Sequence, residues 1–214
     1  HIRINLLKLF SPIIPFMTEK IWLELKKKKI VNEESIHLLE FINPKQQTIM
    51  YNYGDLPKKY TAETTAKVAI LPVPYDGTST WIKGADKGPE ALLEASANME
   101  LYDIETDTEV YKIGIYTAPA VRVNKTPEAM VEAVRKKSEA LIEKGKFLIT
   151  LGGEHSISIG VIQAHAKKYK NMSVIQIDAH TDLRDSYEGS KNNHACIMAR
   201  AKELCPIVQV GIRS

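Results

Sequence analysis

The sequence predicts an α/β fold with a parallel sheet over most of its length. Two observations carry this. Short apolar runs at 67–73, 147–151, 173–178 and 207–210 alternate with segments of helical periodicity. Short buried strands alternating with helices are the signature of a parallel sheet covered on both faces. The residues richest in chemistry also follow directly after two of these runs, where open α/β sheets gather their functional groups.

The elements follow in chain order. Residues 2–10 place apolar side chains at helical spacing until Ser11-Pro12 and Pro15 break the pattern. Residues 17–29 resume as an amphipathic helix, with Ile21, Trp22, Leu23 and Leu25 among Glu19, Lys20, Glu24 and Lys26. The run Lys26 to Lys29 falls near its C-terminal end, where positive charge complements the helix dipole. Residues 44–66 read as polar loop, with Pro44, Gly54 and Pro57. The style changes at about residue 67. A buried strand is expected at 67–73, a helix at 89–97 and a strand at 110–115. Thr126 is placed to cap a helix with Pro127 in its first turn, running through 128–143 to Gly145. A strand at 147–151, a helix at 157–169, a buried strand at 173–178, a helix at 195–204 and a strand at 207–210 complete the alternation. No internal repeat is visible.

Composition sets limits on this reading. The 214 residues are 44% hydrophobic and 26% charged, with 11 Gly and 10 Pro, which excludes collagen-like, disordered and disulfide-scaffold chains. The charge is uneven. Residues 1–49 hold 8 Lys/Arg against 5 Asp/Glu, and residues 50–214 hold 21 of each. The net +3 therefore lies wholly in the first segment, and no broad basic face for nucleic acid is expected in the second. Cys196 and Cys205 are separated by eight residues, without a CxxC spacing, and are expected as free buried thiols in a reducing compartment. No apolar run approaches the ~20 residues that span a bilayer. The expectation is a soluble, cytoplasmic protein without a membrane partner.

Two motifs carry the chemistry. Asp178-Ala179-His180-Thr181-Asp182 follows the strand at 173–177. Side chains alternate faces along extended backbone, so Asp178, His180 and Asp182 can point into one pocket. Carboxylates with an imidazole suit a hard or borderline divalent metal such as Mn2+, and the lack of thiolates excludes a cysteine-type zinc site. Leu151-Gly152-Gly153-Glu154-His155-Ser156 follows the strand at 147–151 and opens a helix. Its glycines allow a sharp strand-to-helix turn. That turn aims His155 at the same sheet edge as Asp178.

GGEHS at 152–156 and DAHTD at 178–182 resemble two of the three metal motifs of the arginase/agmatinase (ureohydrolase) family. The resemblance spans about residues 50–214. It includes VPYDGTSTWIKGADKGPEAL (73–92), where Gly84, Gly88 and Pro89 match the family's G-x-x-x-G-P loop, and VGIRS at 210–214. The stretch DLRDSYEGSKNNHAC (182–196) is more similar to agmatinases than to arginases. The resemblance implies a three-layer α/β/α sandwich with a mostly parallel sheet. It implies two Mn2+ ions bridged by hydroxide, with His155 and Asp182 on the first, His180 on the second and Asp178 on both. His194 falls where the family has a histidine that moves protons near the substrate, a role suited to imidazole. The implied substrate is a linear guanidine, foremost agmatine, giving urea and putrescine. Arginase-like or guanidinobutyrase-like specificity is the near alternative. The family usually assembles as homo-oligomers.

The family's third motif, S-x-D-x-D-x-x-D-P, supplies further aspartate ligands and does not occur before Ser214. Only four of the six ligands that the family provides are present. The expectation is a truncated sandwich, weak binding of the second ion and little or no activity. Residues 1–49 fit a different pattern. LLKLFSPIIPFMTEKIW (6–22) and ESIHLLEFINP (34–44) resemble the end of a class I aminoacyl-tRNA synthetase anticodon-binding domain of the Val/Ile/Leu type, with Ser11 where that family usually has Ala. Met50 then reads as the start of the ureohydrolase part, and the join as artificial. A tRNA-binding role for 1–49 and a non-catalytic role for the whole chain are the alternatives.

Overall fold

A computed structural model describes residues 51–123 and 125–214. The helices expected at 2–10 and 17–29 lie outside the described residues. β1 (Val68–Val73) is a run of apolar residues, and all but the first are buried. Burial at successive positions means that both faces of β1 are covered. It is flanked by β2 (Ile115–Thr117) and β3 (Phe147–Gly152), both parallel to it, in the order β2-β1-β3. Val68 sits opposite Ile115 on one side and Phe147 on the other, and Val73 reaches Gly152. A second parallel pair joins β4 (Val174–Ile177) to β5 (Ile207–Val210). Every described strand pair is parallel, as the alternation predicts.

The helices supply the covering. α1 (Gly88–Ser96) and α2 (Pro127–Glu143) both contact β1 and β3. Thr126 caps α2 as expected: its Oγ1 accepts the Ala129 amide at 3.1 Å, and Pro127 stands at the first turn. Met130, Val134, Ser138 and Leu141 recur at helical spacing and are buried. α2 packs against α3 (Ile157–Lys168). Gly160 permits this approach, because a Cβ there would lie 2.5 Å from the Val131 carbonyl oxygen. α4 (Ile197–Lys202) follows a 3-10 turn at His194–Cys196 and packs on α3 and β5. One core unites Leu71, Val73, Tyr75, Val134, Ile159 and Ile197, among others.

Two expectations need correction. The strand expected at 110–115 is a 3-10 turn at Val110–Ile113, and β2 begins only at Ile115. Gly114, at φ 87°, separates the two, and a Cβ on it would come within 2.7 Å of the Ala66 Cα. The strand expected as buried at 173–178 is open on one face, with Ile175 69% and Ile177 84% exposed. Among the described residues β4 pairs only with β5, and β3 only with β1, so each forms a sheet edge. Phe147, on β3, is likewise exposed. The thiols are free, with Cys196 buried and Cys205 only half-buried.

A metal-type cluster at the strand ends

The ends of β3 and β4 carry the two motifs and bring them together. After β3 the chain turns through Gly152 and Gly153 into α3. Neither glycine adopts a left-handed φ. What Gly153 provides is space: a Cβ would lie 2.4 Å from the Tyr75 carbonyl oxygen and 2.7 Å from that of Val73. The turn is held by Glu154. Its amide donates to the Tyr75 carbonyl at 2.8 Å, and its carboxylate accepts from Ser156 Oγ at 2.6 Å and the Ser156 amide at 2.8 Å. Glu154 is buried at the start of α3, where the helix dipole favours a negative charge.

This turn sets His155 Nδ1 2.9 Å from Asp182 Oδ2 and 3.4 Å from Asp178 Oδ2. His155, Asp178 and Asp182 each offer one ligand atom, and these atoms all lie within 4.8 Å of one another. One imidazole and two carboxylates form a donor set that suits Mn2+ or a similar divalent cation. His180 stands apart from this trio. Its Nδ1 is 3.3 Å from the other oxygen of Asp178, and its side chain is largely exposed. The reason is local. Asp178 Oδ1 accepts the His180 amide at 2.9 Å, an Asx turn that bends the chain after β4 and ends the strict alternation. Asp182 then adopts a left-handed φ of 49°, which returns its carboxylate to the cluster. Burial alone would raise the Asp178 carboxyl. The amide of His180, the charge of His155 and the amide of Ala179 outweigh it and hold the group below the ordinary carboxylate range.

His194 has separate contacts. Its backbone N–H donates to Thr78 Oγ1 at 3.0 Å, and its Nδ1 lies 3.3 Å from the same hydroxyl. The Tyr187 ring stands edge-on to the imidazole at 5.9 Å. Thr78 was not singled out by its sequence context, nor was Gln176. Gln176 Nε2 donates to Asp182 Oδ2 and to the His180 carbonyl, both at 3.2 Å. Gln209, on β5, holds Gln176 Oε1 at 2.5 Å. A polar residue inside an otherwise apolar strand was the one signal for Gln176.

A neighbouring cavity of about 440 Å³ is lined by Tyr75, Asp76, Gly77, Lys83, Asp86, Lys125 and Pro127. Asp76 is bound into its wall by the amides of Gly84 and Ala85, at 2.5 and 3.1 Å, and by the Ser79 hydroxyl.

Parallel strands with a histidine–carboxylate cluster at their ends define an α/β protein with a candidate metal centre. A family model described as "Arginase family" matches residues 66–214, and the chain belongs to that family. A model of the anticodon-binding domain of tRNA ligase matches residues 1–70. The second match runs past the boundary expected at 49. Residues just beyond that boundary are nonetheless tied to the α/β part: the Tyr53 amide donates to Thr117 Oγ1 at 2.9 Å, and the Gly54 amide to Ser96 Oγ at 2.8 Å.

Among curated relatives, an N(1)-aminopropylagmatine ureohydrolase of Synechocystis is 43% identical over 162 residues, covering 72% of this chain and 53% of the relative. An agmatinase of Bacillus subtilis is 32% identical, covering 70% and 53%. The crystal structure of agmatine ureohydrolase of Thermoplasma volcanium superposes with a TM-score of 0.67 at 29% identity, covering 83% of this chain and 58% of that one. The chain thus spans about half the length of the curated relatives it matches. No described helix is long and apolar enough to cross a membrane.

Proposed function

We propose that residues 50–214 carry the metal-binding part of a Mn2+-dependent ureohydrolase that cleaves a linear guanidine to urea and an amine. The observation that carries this reading is the meeting of His155, Asp178 and Asp182 in a chain of the arginase family. These three would hold one divalent ion, and His180, beside Asp178 Oδ1, would turn toward a second. Bound metal of this kind lowers the pKa of coordinated water, so that hydroxide is available near neutral pH.

The chain's own residues do the rest. Asp178 stays ionised, because the amides around it stabilise its charge. Gln176 orients the Asp182 carboxylate. His194, anchored on Thr78, carries protons to or from the departing amine. Agmatine is the substrate read from the motifs. The name of the 43% identical relative favours its N(1)-aminopropyl derivative as a second candidate. Both place a cationic amine tail beyond the guanidine. The free thiols fit a reducing, cytoplasmic setting.

The test is a Mn2+ titration of the 214-residue chain, followed by urea release from agmatine, N(1)-aminopropylagmatine and arginine. Saturable binding of one ion, lost in Asp182→Asn, is expected. An unaltered titration in that variant would overturn the assignment. The expected activity is slight, with agmatine or its aminopropyl derivative ahead of arginine. The anticodon-domain match at 1–70 calls for one control, salt-dependent tRNA binding, which is expected to be absent.

A further inference from the structure

We propose that Thr78 is the positioning residue for His194, holding its ring through Nδ1 in both protonation states and fixing the neutral ring as the tautomer with its proton on Nε2. This rests on the reading of His194 as a proton carrier. The geometry is specific. Thr78 is 5% exposed. Among the described residues, both hydrogen-bond partners of its hydroxyl belong to His194: the backbone amide at 3.0 Å and Nδ1 at 3.3 Å. A hydroxyl has one proton and two lone pairs. The amide occupies one lone pair. The proton then has the neutral Nδ1 as its acceptor, which places the ring's own proton on Nε2. When the ring is protonated, Nδ1–H donates to the remaining lone pair and the hydroxyl proton rotates away. A hydroxyl can serve both states, whereas a methyl group serves neither.

Thr78 is itself fixed from the opposite side. Its amide donates to Glu154 Oε1 at 3.3 Å, and that carboxylate is tied to Ser156. A single hydrogen-bonded series therefore links the turn bearing His155 to the ring of His194. Tyr187 packs edge-on against that ring, which further restricts its rotation.

The experiment is a long-range 1H–15N correlation of the histidine rings in the full 214-residue chain, recorded with His194 neutral and assigned by its loss in His194→Gln. The expected pattern is one tautomer, with the proton on Nε2. Thr78→Val, which keeps the shape and the amide bond to Glu154, is expected to replace this with the averaged pattern of an unrestrained histidine. Thr78→Ser is expected to restore it. An Nδ1–H pattern in the unaltered chain would overturn the proposal without any variant being needed. An unchanged pattern in Thr78→Val would overturn it as well, leaving Thr78 a packing role. Failure of the ureohydrolase reading leaves a different mark: no saturable Mn2+ binding, with the Nε2–H pattern intact.

Discussion

Asp182 Oδ2 lies 2.9 Å from His155 Nδ1, although the two residues follow strands of different sheets. His155 comes after β3, in the three-stranded sheet. Asp182 comes after β4, in the two-stranded one. The cluster is therefore a junction between the sheets, and its geometry depends on residues that hold each motif in place.

Gln176 is the first of these. It meets Asp182 and the His180 carbonyl from inside β4. Gln176→Leu keeps the bulk but releases both. Loss of a partner that orients a ligand commonly lowers metal affinity by about 10–100-fold. A loss of that size is expected for Mn2+, measured by calorimetric titration. Unchanged affinity would mean that the main chain alone orients Asp182.

Gly160 tests the packing of α2 on α3. In Gly160→Ala the new methyl would meet the Val131 carbonyl oxygen at 2.5 Å and the Arg135 amide nitrogen at 2.9 Å. Both contacts are backbone, so the helices must separate. A loss of about 1–3 kcal/mol is expected from urea unfolding, despite alanine's better helix propensity.

Tyr75 gives a pH signature. Burial, followed by the charges of Glu154 and Glu128, pushes its phenol up to about 12. An unfolded tyrosine titrates near 10. The contribution of neutral Tyr75 is therefore complete below about pH 10 and is lost as pH rises through about 12. That loss is on the order of 2 kcal/mol. Tyr75→Phe has no such group. Between pH 10 and 12 its stability should fall less steeply than that of the unaltered chain, as followed by chemical denaturation. Parallel decline would show that Tyr75 ionises as freely in the folded state as in the unfolded one.

What the sequence made legible was local or periodic. The apolar run of β1, the Thr126 cap with Pro127, and the strand-to-motif order around His155 and Asp178 all follow from neighbours a few residues apart. What it hid depends on distance in the chain. Thr78 meets His194 across 116 residues, and no local pattern marks that pairing. Gln176 meets Gln209 across 33. The alternation rule placed His180 with Asp178 and Asp182, because it assumes extended backbone. The Asx turn at Asp178 removes that condition. At Gly153 the residue was legible, but its cause was not. The glycine serves closeness to Tyr75 and Val73 rather than an unusual dihedral.

The left-handed backbone of Asp182 has a further consequence. Its side chain belongs to the cluster, while its carbonyl accepts the amides of Met198 and Ala199 at 3.0 and 3.3 Å, at the start of α4. Two selective pressures thus fall on one codon. A mutational scan scored on cellular abundance alone should tolerate asparagine and glycine at 182, which adopt this dihedral readily, and should reject valine and isoleucine. A scan scored on metal-dependent growth should reject all four. The gap between the two tolerance profiles would separate what the main chain requires here from what the carboxylate does.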